Sequence, residues 1–96
     1  PSHPNHEVAK AQMQHGFGGM LSIGVKGGKE KAIQLAEHLQ IFAHATSLGG
    51  VESLIEHRRT AEGAHPRSPD NLLRISVGIE FIGDLVADFE QALGKL

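Results

Sequence analysis

The chain has 96 residues, 40% of them hydrophobic and 21% charged, which suffices for one apolar core and leaves no room for two domains. Nine Lys and Arg against eleven Asp and Glu give a formal charge of −2 without a basic stripe, which argues against a nucleic-acid partner. With no cysteine there are no disulfides, thiolate metal ligands or cysteine nucleophile, and no apolar run approaches the ~20 residues of a membrane span, so the expected location is cytoplasmic.

Pro4 followed by Asn5, His6 and Glu7 opens a short helix that reaches Met13, with too few apolar positions to stand alone. Gly16-Phe17-Gly18-Gly19 ends it, and Met20 to Val25 follow as a strand. A second helix runs from about Lys29 to Leu39, with Ala32, Ile33, Leu35, Ala36 and Leu39 at helical spacing and Lys29, Glu30, Gln34 and Glu37 toward water. Three more strands are predicted at Gln40 to Ala45, Gly49 to Ile55 and Leu72 to Ile79. In the last, Leu73, Ile75 and Val77 share one face and Leu72, Arg74 and Ser76 the other. His57 to Asn71, with Pro66 and Pro69 and no apolar periodicity, reads as a surface loop, and its His57-Arg58-Arg59 run beside Glu56 and Glu62 as solvated. The final helix carries Ile82, Leu85, Val86, Phe89 and Leu93 as its apolar stripe, with Asp84, Asp88, Glu90 and Gln91 facing away. This order predicts an α+β fold, a two-layer sandwich with helices mainly on one face of the sheet.

An arginine in the middle of a strand rich in Leu and Ile is costly unless its planar fork meets a carboxylate or phosphate, which makes Arg74 a candidate binding residue. The alternative, a guanidinium on the solvent face of an edge strand, stays open on the residues alone. Thr46-Ser47-Leu48-Gly49-Gly50 is a turn where bare backbone could approach a ligand, and it gains meaning only if Ser47 and Arg74 end up side by side. His3 and His6 lack a second pair at ligand spacing, so a structural role is the better reading for them, and no metal site is expected. Gly16 to Gly19 precede a strand rather than a helix, unlike a phosphate loop. Lys10, Lys26, Lys29, Lys31 and Lys95 all lie on polar faces or at termini, and no nucleophile is paired with a base.

Four linked motifs resemble the cystathionine γ-synthase family of Cys/Met-metabolism enzymes that use pyridoxal phosphate (PLP). They are His3-Pro4 with His6-Glu7, the stretch Gly16 to Ser22, the stretch Ser47 to Leu54, and Leu73-Arg74-Ile75-Ser76-Val77-Gly78-Ile79-Glu80. The resemblance implies the C-terminal small domain of a fold-type-I enzyme, spanning residues 1–96, with about four mostly antiparallel strands. A large domain carrying PLP and its Schiff-base lysine is then expected upstream, and Pro1 would mark an artificial or proteolytic start. The small size points the same way, because a domain of this length buries only about 60 to 65% of its unfolded surface.

In the family, the residue matching Arg74 pairs with the substrate α-carboxylate, the one matching Ser47 helps to hold it, and the one matching Thr46 faces the distal part of the substrate. That last position is glutamate in typical cystathionine-handling members. Arg58 to Gly63 also replace the customary segment after the Glu52-Ser53-Leu54 strand, and the stretch from Ser47 to Arg74 is shorter than usual. The expectation is therefore a carboxylate-binding domain, inactive by itself. Its full-length parent would perform β- or γ-elimination or replacement on sulfur-containing or O-acylated homoserine-type amino acids, as a lyase or transferase forming homotetramers. The rival readings are a stand-alone α+β small-molecule-binding or regulatory module, and a purely structural oligomerisation domain.

Overall fold

The computed structural model describes residues 1–96. Its elements run α1 (His6–Gln12), β1 (Met20–Gly24), α2 (Gly28–His38), β2 (Ala43–His44), β3 (Leu54–His57), α3 (Arg58–Ala61), β4 (Leu72–Ser76) and α4 (Ile82–Leu93). The four strands form one sheet in the order β1-β4-β3-β2. β1 and β3 flank β4 antiparallel, and β2 joins β3 in parallel. The expected α+β architecture is present.

The alternation in β4 sets the two layers. Leu73 and Ile75 are 0% and 2% exposed and pack with Ile55 against Ala32, Leu35 and Ala36 of α2 and Leu85 and Ala92 of α4. Burying each large side chain of this kind stabilises the fold by roughly 1.5–3 kcal/mol. Phe42 closes one end of the core through an edge-on contact with Phe89, ring centroids 4.9 Å apart. Arg74, Glu56 and Ser22 stand in register on the opposite face.

Three strand boundaries differ from the sequence expectation, each because a side chain captures backbone donors that a ladder would use. The strand expected over Gln40 to Ala45 shrinks to Ala43–His44, because the carboxylate of Asp88 accepts the N–H groups of Gln40, Ile41 and Phe42. The strand expected over Gly49 to Ile55 begins only at Leu54. Gly49 takes a left-handed φ of 76° and donates its N–H to Ser76 Oγ, while the N–H of Ser53 goes to the carboxylate of Glu80. β4 ends at Ser76, since the N–H of Gly78 donates to Ser53 Oγ.

The loop expected over His57 to Asn71 contains the single turn α3. The His57 ring caps it: Nδ1 accepts the Thr60 N–H, and Nε2 lies 2.5 Å from the carbonyl of Asp70 at the other end of the loop. The Nε2-protonated tautomer satisfies both contacts.

The face of α4 also needs correction. Asp88, expected toward water, is 4% exposed, and the helix buries Leu85, Asp88 and Ala92. Ile82, Val86 and Leu93 from the expected stripe are instead at least half exposed or close to it, at 64%, 49% and 52%. They line an open apolar groove of about 450 Å³ together with Leu21, Ile23 and Val77. The cause is Asp88 itself, whose bonds to the chain after α2 rotate the helix so that the polar side chain points inward.

Candidate functional site

β4 is an internal strand, which removes the solvent-edge alternative for Arg74. Its side chain crosses the open face of the sheet with 21% exposure, and Nη2 donates to the carbonyl oxygens of Thr46 at 2.6 Å and Ser47 at 3.4 Å. The same nitrogen lies 3.1 Å from Glu56 Oε1, which sits directly across the strand pair. Nε and Nη1 make no hydrogen bond within the chain. The fold thus brings Thr46, Ser47 and Arg74 together.

Glu56 is 7% exposed and unites more than Arg74. Its Oε1 also accepts a hydrogen bond from Arg58 Nη1, and Oε2 is buried without a donor. Hydrogen bonding to Glu56, then its charge, raises the Arg58 guanidinium further above its ordinary value. Among the groups in ion-pair contact, one carboxylate between two guanidinium groups leaves +1, and Glu62, whose charge also acts on Arg58, stands beyond ion-pair distance. An incoming carboxylate would meet one unmatched positive charge and the unused donors of Arg74.

The turn that carries Thr46 and Ser47 is stapled to the end of β4. Ser53 donates its hydroxyl to Glu80 Oε1 at 2.8 Å and its N–H to Oε2 at 2.9 Å, while accepting the N–H of Gly78 at 2.9 Å. Ile79 donates to the carbonyl of Val51 at 2.9 Å. The Ser53 N–H, and next its hydroxyl, hold the carboxyl of Glu80 below its ordinary value.

Gly78 makes this close contact possible. A Cβ there would fall on Val51 O, 2.6 Å from Glu52 C and 2.7 Å from Ser53 N, all of them backbone. Gly78→Ala is therefore expected to destabilise the chain by about 1–3 kcal/mol and to displace residues 51–53. Urea denaturation measures the first, and loss of amide-exchange protection at Ile79 reports the second.

Sequence reasoning missed Glu56, Arg58, Ser53 and Glu80. The Glu56–Arg74 pairing depends on strand register, which no local pattern reveals once β3 is placed too early. Of the two histidines weighed as ligands, His3 accepts the Asn5 N–H at 3.0 Å and His6 lies against Phe17 with ring centroids 5.6 Å apart. No group of three or more His, Asp or Glu side chains converges where a metal ion could be held.

The five lysines give no place for a Schiff base. Lys10, Lys26, Lys29 and Lys95 are exposed, Lys31 is half-buried, and none lines the three main grooves. Residues here do not fit the aldehyde carbon of pyridoxal phosphate, and no step of its chemistry is assigned to them.

The sequence model of the family described as Cys/Met metabolism PLP-dependent enzyme matches residues 1–94. Cystathionine gamma-synthase of Mycobacterium tuberculosis (strain ATCC 25618 / H37Rv) is 50% identical over 99 residues, covering 98% of this chain and 25% of the relative. Cystathionine gamma-lyase of Dictyostelium discoideum is 48% identical, covering 99% and 26%. L-methionine gamma-lyase of Fusobacterium nucleatum subsp. polymorphum is 40% identical, covering 99% and 26%. The crystal structure of metB from Corynebacterium glutamicum superposes with a TM-score of 0.84 at 46% identity, over 98% of this chain and 26% of that one. The chain spans about a quarter of the length of the curated relatives it matches.

Proposed function

Because this chain belongs to the Cys/Met metabolism PLP-dependent enzyme family, we propose that it is the small C-terminal domain of a longer trans-sulfuration enzyme and binds the α-carboxylate of its amino-acid substrate. The observation that carries this reading is the guanidinium of Arg74. It is held on a central strand beside the Thr46-Ser47 turn, part exposed, in a cluster with one positive charge to spare.

Arg74 takes the carboxylate through charge-assisted hydrogen bonds, and the Ser47 hydroxyl, which has no partner within the chain, adds a further donor. Holding the carboxylate fixes the torsion about the α-carbon, so the bond to be broken is presented in one orientation. The cofactor, contributed by another part of the protein, supplies the electron sink for carbanion chemistry. Thr46 offers a hydroxyl and no carboxylate, so a distal ammonium gains no ion pair there. Substrates with an uncharged thioether or ester arm, reacting by β- or γ-elimination or replacement, fit this site.

The exposed apolar groove between β1 and α4 supports the view that the chain is one part of a larger molecule. Its occupant in that view is the remaining three quarters of a full-length protein of the relatives' size. No helix is long and apolar enough to cross a membrane, and we place the parent enzyme in the cytoplasm as a homotetramer.

Two preparations test the reading. The purified full-length protein should show the visible absorbance band of bound pyridoxal phosphate and turn over at least one of cystathionine, homocysteine, methionine and O-acetylhomoserine. The 96-residue chain alone should show neither. A full-length protein that stays colourless with added cofactor would overturn the proposal, and a coloured, active 96-residue chain would overturn the division of labour.

A further inference from the structure

Arg58 sits in the segment that reads as solvated loop, yet its guanidinium is 30% exposed and bonded to the same Glu56 oxygen that holds Arg74. His57 places it there: by capping α3 through the Thr60 N–H, the ring turns the chain sharply just after β3, so Arg58 folds back over the sheet face beside Glu56. Were Glu56 and Arg74 alone, the pair would be neutral, and a substrate carboxylate would have to compete with Glu56 for one guanidinium. With Arg58 present, one carboxylate serves two cations.

From this we infer that Arg58 is a positioning residue for the carboxylate site. It offsets the charge of Glu56, so that Glu56 fixes the guanidinium of Arg74 without cancelling it. The inference rests on the reading of Arg74 as the carboxylate-binding group. A change of one unit charge a few ångströms from a bound anion, screened by the solvent that reaches Arg58, shifts anion affinity by about an order of magnitude.

The test uses the full-length holoenzyme, with acetate as a competitive inhibitor and the substrate identified by the turnover screen. Arg58→Gln is expected to raise the acetate Ki and the substrate KM by about tenfold while kcat stays within about twofold, and Arg58→Lys to recover most of the loss. The double variant Glu56→Gln/Arg58→Gln restores the +1 balance, so its acetate Ki returns to within about threefold of wild type even though both anchors are gone. A merely structural role predicts the reverse, a double variant worse than either single one, and that result overturns the inference. So does an unchanged Ki in Arg58→Gln. Because Glu56 is buried and its variants are at risk of misfolding, the Arg58 single variants suffice by themselves. Arg74→Ala separates the two levels: unchanged acetate inhibition there sinks the carboxylate site itself, whereas a raised Ki in Arg74→Ala with none in Arg58→Gln removes only the role of Arg58.

Discussion

Arg74→Ala in the full-length enzyme is expected to lower kcat/KM by roughly 3 kcal/mol or more, a factor of at least about a hundred. The loss has two parts. The substrate carboxylate forfeits its charge-assisted donors, and Glu56 is left with Arg58 alone, its second oxygen already without a donor. Arg74→Lys keeps the charge and a donor for the Thr46 and Ser47 carbonyls, both of which Nη2 alone serves, but not the Nε and Nη1 donors of the planar fork, so it should recover only part of the activity. Steady-state kinetics on both variants decide the matter. Values near wild type for Arg74→Ala would remove this residue from the site.

Asp88→Ala is expected to cost the fold about 3 kcal/mol, read as a lower urea midpoint at unchanged slope. The Asp88 carboxylate accepts the N–H groups of Gln40 at 2.8 Å, Ile41 at 2.7 Å and Phe42 at 3.4 Å, and the Gln91 amide at 3.1 Å. These bonds tie the exit of α2 to α4. Removing the carboxylate strands several donors in a half-buried position, and a polar group left unpaired there costs more than its bond contributes. Asp88→Asn preserves the shape but sets N–H groups against N–H groups, and should cost about 2 kcal/mol.

The same carboxylate gives stability a pH dependence. Burial works to raise its pKa, but the N–H groups of Gln40 and Ile41, the Gln91 amide and the Phe42 N–H outweigh it, and the net shift is downward. Asp88 therefore binds its proton less readily folded than unfolded. Its contribution is fully present above the ordinary carboxylate pKa and is lost as pH falls through the lower folded value. Glu80, held down by the Ser53 N–H and hydroxyl, acts in the same direction. Melts across the acid range should show wild type losing stability more steeply than Asp88→Asn. Parallel curves would mean that Asp88 is not the group responsible.

Apolar periodicity located α2 and the extent of α4, whose spacing is a local property of the chain, whereas α1 and β1, which bury no regular face, were legible from Pro4 and the glycines that bound them. Periodicity also placed Arg74 opposite Leu73 and Ile75, since alternation along a strand is a local property. The ends of β2, β3 and β4 were not legible. They are set by Asp88, Glu80 and Ser53 intercepting backbone donors up to 48 residues away in sequence, and no window of neighbouring residues holds that information. The inward turn of Asp88 is the sharpest case: helical spacing counts it as polar and exposed, and only the unpaired N–H groups after α2 make an inward carboxylate favourable.

The order of elements was enough by itself to indicate an α+β fold, and the motifs a resemblance to PLP-dependent enzymes, with the Thr46-Ser47 turn and Arg74 as candidate residues. Only the tertiary structure decided that Arg74 lies on an internal strand, that Glu56 stands across from it and that Arg58 shares the same carboxylate oxygen. The physical reason is that charge balance is a sum over groups brought together in space. Strand register and the His57-capped turn, not spacing along the chain, choose which groups enter that sum.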